Sequence, residues 1–460
     1  MGTKTVDIAI HDGIVVSGKG FRRADILIKD GIVESVGAFE SGGIASHRID
    51  ASGKFVLPGI IDSHLHPVYA DRIDTLSKAA ACAGITTLIP YIGAVKAWGK
   101  SGSPLEAVHD FIREGENTSV LDFGVHCTLL QNDLKDAEKV IPSLVGKGII
   151  SFKVFMAYKK RGMKLEDDEL LTVMKIVANS KALLAAHAEN GNVLDYLEQS
   201  CIAQGNETPE FYPPSHPPIS EAEAIFRLLT LARITSCPIY IPHVSARKSL
   251  EVIKLFKAWD GPPFFSETCP HYLTLSDEEM TKRGSVAKMA PPLRTRDDIE
   301  KLWSALGEGL VDVIASDAAG HRIESNEPLR DKIFDAPNGI PGLDTLFSIS
   351  YDEGVNGGKI TLPRLVELTC ENPAKVFGLY PRKGVLRAGS DADLVLFDPS
   401  EVHTIAGKNR YLRVDYSMYE GRRCLGLPFL VMQRGEILME NGELRADPGR
   451  GKFIPGKIPP

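Results

Sequence analysis

Cysteine is scarce and scattered in this chain. The seven are Cys82, Cys127, Cys201, Cys237, Cys269, Cys370 and Cys424, and none forms a Cys-x-x-Cys pair. An odd, dispersed set fits buried thiols in a reducing cytoplasm rather than a disulfide framework. Cys127 and Cys269 fall in apolar, strand-like runs, as small core residues do. No run of about 18 apolar residues occurs, so no membrane span is expected. Met1 to Asp12 lacks a charged segment followed by an apolar core, so no secretory leader is expected and the cytoplasm is the expected compartment. There is no long basic run, and the formal net charge is -7. Nucleic acid and anionic membrane are therefore poor partners. Low-complexity linkers and short repeats are also missing.

What is present is globular. With 43% hydrophobic and 25% charged residues over 460 positions, the chain can bury a large core. Length alone suggests two or three domains, but an α/β barrel can take most of it as one unit.

The two ends resemble each other. Val6–Val16 and Ile26–Val36 are strand-like and carry Asp-Gly turn signals at Asp12-Gly13 and Asp30-Gly31. Asp393–Phe397 and Phe429–Met439 read the same way, with turns at Arg434-Gly435 and Asn441-Gly442. Such hairpins are not stable alone in water, so the ends are expected to meet in one small β domain.

The middle alternates. Eight short apolar runs begin at Phe55–Asp62, Thr86–Pro90, Phe123–Leu129 and Ile149–Phe155. They continue at Leu183–Ala188, Ile239–Val244, Pro263–Thr268 and Val311–Ser316. Between them lie helical patterns such as Leu105–Arg113, Asp167–Ala178, Ser220–Ile234 and Asp297–Leu306, where apolar residues like Ala224, Leu228 and Leu231 share a face. Eight strand–helix alternations predict a TIM-like (β/α)8 barrel, with its active site at the C-terminal strand ends.

Polar residues gather at those ends. Asp62, His64 and His66 follow the first run, Lys153 lies in the fourth, His187 closes the fifth, His243 the sixth, and Asp317 follows the eighth. His64 and His66 flank Leu65, so an extended chain puts both on one face, where neutral imidazoles suit zinc or a similar ion. Taken alone, His-x-His also occurs on ordinary surface strands, and a single His closing an apolar run is usually a satisfied core residue. Coincidence at three strand ends is a weaker explanation than a shared site. Lys153 stands on an apolar strand, where burial disfavours the ammonium form. A neutral amine can react with carbon dioxide to give an anionic carbamate able to bridge two ions, whereas a snorkelling Lys at a strand end would not. Asp317 is placed to ligate metal and move a proton, or to cap the next helix.

Together these residues resemble the amidohydrolase superfamily, in its cyclic amidase branch of dihydropyrimidinases, hydantoinases, allantoinases and dihydroorotases. The resemblance runs from Pro58-Gly59-Ile60-Ile61-Asp62-Ser63-His64-Leu65-His66 to Gly389-Ser390-Asp391-Ala392-Asp393-Leu394. Ser151-Phe152-Lys153-Val154-Phe155-Met156-Ala157-Tyr158-Lys159 and Glu267-Thr268-Cys269-Pro270 look like hydantoinases and dihydropyrimidinases in particular. The resemblance implies a carboxylated Lys153 bridging two divalent metal ions, zinc in that family. One ion would be held by His64, His66, Lys153 and Asp317, the other by Lys153, His187 and His243. It also implies that Tyr158 bonds the substrate carbonyl, that Ala290 stands where hydantoinases usually have Ser and use its backbone, and that the Asn338 backbone holds the ring amide. The barrel is expected over residues 55–382 and the β-sandwich over 1–54 with 383–460, and the resemblance implies a homo-oligomer, tetramer or dimer.

Some positions depart from relatives. Pro67 and Val68 follow His-x-His where dihydroorotases carry a carboxylate-gripping Arg. The loop from Pro67 to Asp74 is shorter than its hydantoinase counterpart, and Ala318 follows Asp317 where many relatives have His. The expected activity is hydrolysis of a small cyclic amide. Two alternatives are an allantoinase or other amidase of the same superfamily, and a non-catalytic dihydropyrimidinase-related scaffold.

Overall fold

Gly59 divides what the sequence presents as one strand. In the computed structural model, Phe55–Pro58 pairs antiparallel with Leu394–Thr404 and parallel with Ile14–Ser17. One residue later, Ile60–Asp62 pairs parallel with Ile85–Leu88 as the first barrel strand. A Cβ at Gly59 would overlap the Thr86 side chain, so the crossing between sheets needs glycine. The run Phe55–Asp62 is therefore two strands serving two sheets. The structure describes residues 5–38, 44–329 and 331–458. Residues 1–4 of the stretch read for a leader lie outside these.

The barrel is a closed parallel sheet. The second and third strands are each broken in two, as Ile85–Leu88 with Tyr91–Ile92 and Asp122–Phe123 with His126–Thr128. The ladder continues through Ser151–Phe155, Leu183–His187, Ile239–Ile241, Phe264–Thr268 and Val313–Ile314. A parallel bridge between Leu65 and Ala318 joins the eighth strand to the first. Asp62 reinforces this seam by accepting from the Ser316 backbone N–H at 3.0 Å and the Ser316 hydroxyl at 2.6 Å. The lumen is packed with Ile61, Ile89, Leu183, Ala185, Tyr240 and Val313. Phe377 closes its lower end against the rings of His126 and Tyr240. A filled lumen leaves only the C-terminal mouth for chemistry.

The helical patterns extend to Pro104–Thr118, Asp167–Asn179, Pro218–Thr235 and Arg296–Glu308. Ala224, Leu228 and Leu231 are buried, as their spacing requires. Among the described residues, no helix is long and apolar enough to cross a membrane.

Both ends of the chain form a β-sandwich. A four-stranded sheet of Ile32–Gly37, Asp25–Lys29, Thr5–His11 and Ile44–Asp50 faces a seven-stranded sheet that includes Leu394–Thr404 and Arg423–Gln433. Ile10, Ile26, Ile28 and Val33 pack against Val56, Leu394, Leu396 and Met432 between them. Asp30-Gly31, Arg434-Gly435 and Asn441-Gly442 are two-residue hairpin turns with positive φ at both positions. Asp12-Gly13 is not a hairpin. The chain leaves the smaller sheet there, and Ile14–Ser17 joins the larger one. Gly13 sits against Val56 and Ala51, so its missing side chain serves close approach rather than a turn.

Candidate active site

Each expected site residue reaches one pocket at the barrel mouth. His64, His66, Lys153, Tyr158, His187, His243, Ala290, Asp317 and Asn338 all line it, around about 640 Å³ of space. Three of them hold left-handed backbone: Tyr158 at φ 67°, His243 at 44° and Asp317 at 47°. Non-glycine residues in that region are uncommon and concentrate where a side chain must be aimed.

His64, His66 and Asp317 bring ligand atoms within 4.8 Å of one another. Asp317 Oδ1 lies 3.0 Å from His64 Nε2 and 3.3 Å from His66 Nε2. His64 Nε2 is buried and makes no hydrogen bond, despite the short distance to Asp317. Close atoms without hydrogen-bond direction are what ligands converging on one cation present. Burial works against a charged His64, yet Asp317 and Glu267 raise it to about 9. The site thus favours positive charge at this point. On the other side of the pocket, His187 Nδ1 and His243 Nε2 face each other at 3.0 Å. Glu189 accepts from His187 Nε2 at 2.9 Å, which leaves Nδ1 for the pocket. These donors fit a pair of divalent metal ions.

Lys153 is buried, and no hydrogen bond or ion pair holds its Nζ among the described residues. The amine sits 4.8 Å from the Tyr91 ring centre and 5.6 Å from that of Phe155. Burial lowers it to about 8, against the opposing pull of Asp317 and Glu267. A substantial neutral fraction is available near physiological pH.

Sequence reasoning left several contributors unassigned. Glu267 is fully buried; it accepts from His64 Nδ1 at 2.6 Å, Tyr240 O–H at 2.6 Å and the His243 backbone N–H at 3.1 Å. It fixes two candidate ligands at once. A lone carboxylate in an apolar strand is the same signal that marked Lys153. Glu189 lies two residues after His187, the spacing that singled out His64 and His66. Lys288 is buried, donates to the carbonyls of Ala336 at 2.7 Å and Phe334 at 3.3 Å, and thereby anchors the loop bearing Asn338. Asn338 is further held by Tyr212 O–H on its side chain at 3.3 Å, and its carbonyl lies 3.2 Å from His321 Nε2. Tyr69, Trp98, Arg161 and His271 complete the wall. Burial pushes the His271 imidazole down to about 4, so it stands neutral.

A family model described as "Amidohydrolase family" matches residues 55–424. A D-hydantoinase of Ralstonia pickettii is 37% identical over 463 residues, covering 98% of this chain and 98% of that protein. A D-phenylhydantoinase of Escherichia coli O1:K1 / APEC is 34% identical over 98% of this chain and 99% of its own length. Among solved structures, an L-hydantoinase (dihydropyrimidinase) from Arthrobacter aurescens superposes with a TM-score of 0.92 at 32% identity, covering 98% of this chain and 100% of that one. A D-hydantoinase structure superposes at 0.90 with 36% identity over 98% of this chain and 99% of the other.

Proposed function

The chain belongs to the amidohydrolase family, in its hydantoinase branch, and on that premise we propose that it hydrolyses the ring C–N bond of a hydantoin, a dihydropyrimidine or a related cyclic amide. One observation carries this reading. Imidazoles and a carboxylate from four strand ends share a pocket with an unpaired buried amine and a phenol.

His64, His66, Lys153 and Asp317 would hold one ion, and Lys153, His187 and His243 the other. Imidazole with carboxylate oxygen suits zinc. As a carbamate, Lys153 would supply an oxygen to each ion. Its neutral Nζ attacks carbon dioxide, a N–C bond forms, and the nitrogen loses a proton. When bound, the two ions acidify a water and polarise the ring carbonyl.

The chain's own residues do the rest. Asp317 accepts the water's proton as the new C–O bond forms at the ring carbonyl. It then passes that proton to the ring nitrogen as the C–N bond breaks. The Tyr158 O–H donates to the carbonyl oxygen, where negative charge grows, and a well-placed donor of this kind contributes about 3–4 kcal/mol. The backbone at Ala290 and Asn338 holds the ring amide in place. Glu267 and Glu189 keep the imidazoles aimed.

Turnover of hydantoin, dihydrouracil and allantoin by metal-loaded protein tests the reading, with metal content measured on the same samples. Ring opening of hydantoin or dihydrouracil is the expected result. A clear preference for allantoin would move the chain to that activity. Absence of both bound metal and turnover would favour the scaffold.

A further inference from the structure

Three residues beyond Tyr158, the pocket carries a charge that ring opening does not use. Arg161 closes the short helical turn Lys159–Arg161 and lines the same pocket. Its guanidinium lies 5.4 Å from the centre of the Tyr158 ring. Of the neighbouring cations, Lys160 pairs with Glu198 at 2.7 Å and Lys164 with Glu166 at 2.6 Å, while Lys159 of the same turn does not line the pocket. Arg161 has no carboxylate partner among the described residues. Being exposed at the mouth, it needs none for folding, and its place in the wall aims the charge at whatever enters.

A second donor lines the same pocket. The Tyr69 hydroxyl accepts from Trp98 Nε1 at 3.0 Å, and its own O–H has no acceptor among the described residues. Burial is the larger influence on Tyr69, Tyr158, Lys288 and His321, but each also feels the positive charge of Arg161. Of these, Tyr69 and Tyr158 line the pocket with Arg161. Among the described residues, the one carboxylate lining the pocket is Asp317, and His64 and His66 already occupy it. A neutral ring would leave both outer donors to solvent alone.

We propose that Arg161, with the Tyr69 hydroxyl, forms a receptor for a carboxylate carried outside the ring of the substrate. This rests on the ring-opening reading above and names its substrate class: cyclic amides with an acidic side chain. A guanidinium pairs with a carboxylate through two parallel, charge-assisted hydrogen bonds. With the guanidinium 5.4 Å from the Tyr158 ring centre, the receptor lies near the ring-binding end of the pocket and suits a short spacer between ring and carboxylate. Arg161 is here a specificity residue, and the proton transfers are unchanged by it.

The test compares 5-(2-carboxyethyl)hydantoin with 5-(2-carbamoylethyl)hydantoin, both enantiomers of each, alongside unsubstituted hydantoin. The first two share length and shape and differ in charge. Wild-type enzyme should favour the acid by at least about tenfold in kcat/KM, chiefly through KM, and the preference should fall with rising salt. Arg161→Gln should bring the acid-to-amide ratio close to one, and Arg161→Lys should keep part of it. Equal wild-type turnover of acid and amide would overturn the proposal. So would an Arg161→Gln enzyme that slows both alike with the ratio intact, since Arg161 would then serve only the Tyr158 ring. Hydantoin reports ring opening itself. Failure on all three rings would overturn the ring-opening reading and this inference with it.

Discussion

Two lysines, Lys153 and Lys383, are each 1% exposed, and their surroundings have opposite effects. Lys383 lies where the barrel meets the sandwich, with Nζ 2.7 Å from Asp122, 2.9 Å from Asp391 and 2.6 Å from Asp393. Burial opposes its charge, but three carboxylates overcome that and hold the ammonium well above its ordinary range. Lys153 sits at the mouth with aromatic rings around its amine and no carboxylate in contact. There burial wins and the amine falls to about 8. Depth therefore does not assign a role to a buried lysine; the neighbours do. At the junction the ammonium is a structural tie. At the mouth the amine has a neutral fraction free to react, as the proposed carbamate requires.

Exchanging these lysines breaks the comparison most sharply. Lys153→Ala is expected to lose bound metal and turnover together, down to background. Short carboxylic acids should restore part of both by replacing the bridge. Chelator-treated Lys153→Ala should melt within about 1–2 kcal/mol of wild type, because no ion pair is lost. Two tightly bound metals in this variant, measured by elemental analysis, would defeat the carbamate assignment. Lys383→Met should do the reverse. It leaves buried Asp393 without a cationic side chain, and Asp122 and Asp391 with only Arg434 and Arg382 at 3.5 and 3.0 Å, and breaking a buried ion pair in this way typically costs about 3–5 kcal/mol. The metal stoichiometry of the folded fraction should stay at the wild-type value. The sign with pH follows from the raised Lys383 value. Its stabilisation is complete below the unfolded lysine value of about 10.4 and is lost as pH rises through the folded one. The gap between wild type and Lys383→Met in denaturant melts should hold from pH 6 to 9 and narrow only in stronger alkali.

The mouth was more legible in the sequence than the junction, and the reason is physical. Ligands at strand ends must interrupt apolar runs, so His187, His243 and Lys153 stand out against their neighbours. Asp122, Asp391 and Asp393 come from two distant segments, and Lys383 from a loop, so no local pattern unites them. The same limit hid Glu267's three partners and Lys288's hold on Ala336, which are long-range contacts. Hairpins at Asp30-Gly31 and Asn441-Gly442 were legible because turn chemistry is local. Asp12-Gly13 carries the same dipeptide, but tertiary contact with Val56 gives its glycine a different task.

Asp317 extends the comparison from the lysines to the carboxylates. Burial alone would raise it, but His64 and His66 hold it well below the usual carboxylate range. Asp317→Asn keeps size and one oxygen but cannot take a proton. As a helix cap alone, Asn would be nearly neutral. As a ligand alone, it would weaken one metal, and excess metal would restore rate. As ligand and shuttle together, the expected role, turnover should stay about 10²–10⁴-fold down with both metals bound. The acidic limb of the pH–rate profile should change as well. Near-normal kcat in a fully metallated variant would remove the shuttle.

Among the residues proposed to act in ring opening, the smallest expected effect belongs to Tyr158, and it isolates one hydroxyl. The ring packs at 4.7 Å from His187 and 5.8 Å from Phe155, with Arg161 over it. Phenylalanine preserves all of that packing and suits the same left-handed backbone no worse than tyrosine. The hydroxyl makes no hydrogen bond among the described residues, so its removal orphans nothing inside the protein. What remains is its action on the substrate. A donor aimed at developing charge acts mainly in the transition state. Tyr158→Phe should therefore lower kcat about 10²–10³-fold while KM moves little and metal content stays at the wild-type value. An equal loss on hydantoin and on a substituted hydantoin is expected, because both present the same ring carbonyl. Unequal loss would place the hydroxyl against the substituent beside Arg161, and unchanged kcat on the best substrate would take Tyr158 out of the reaction.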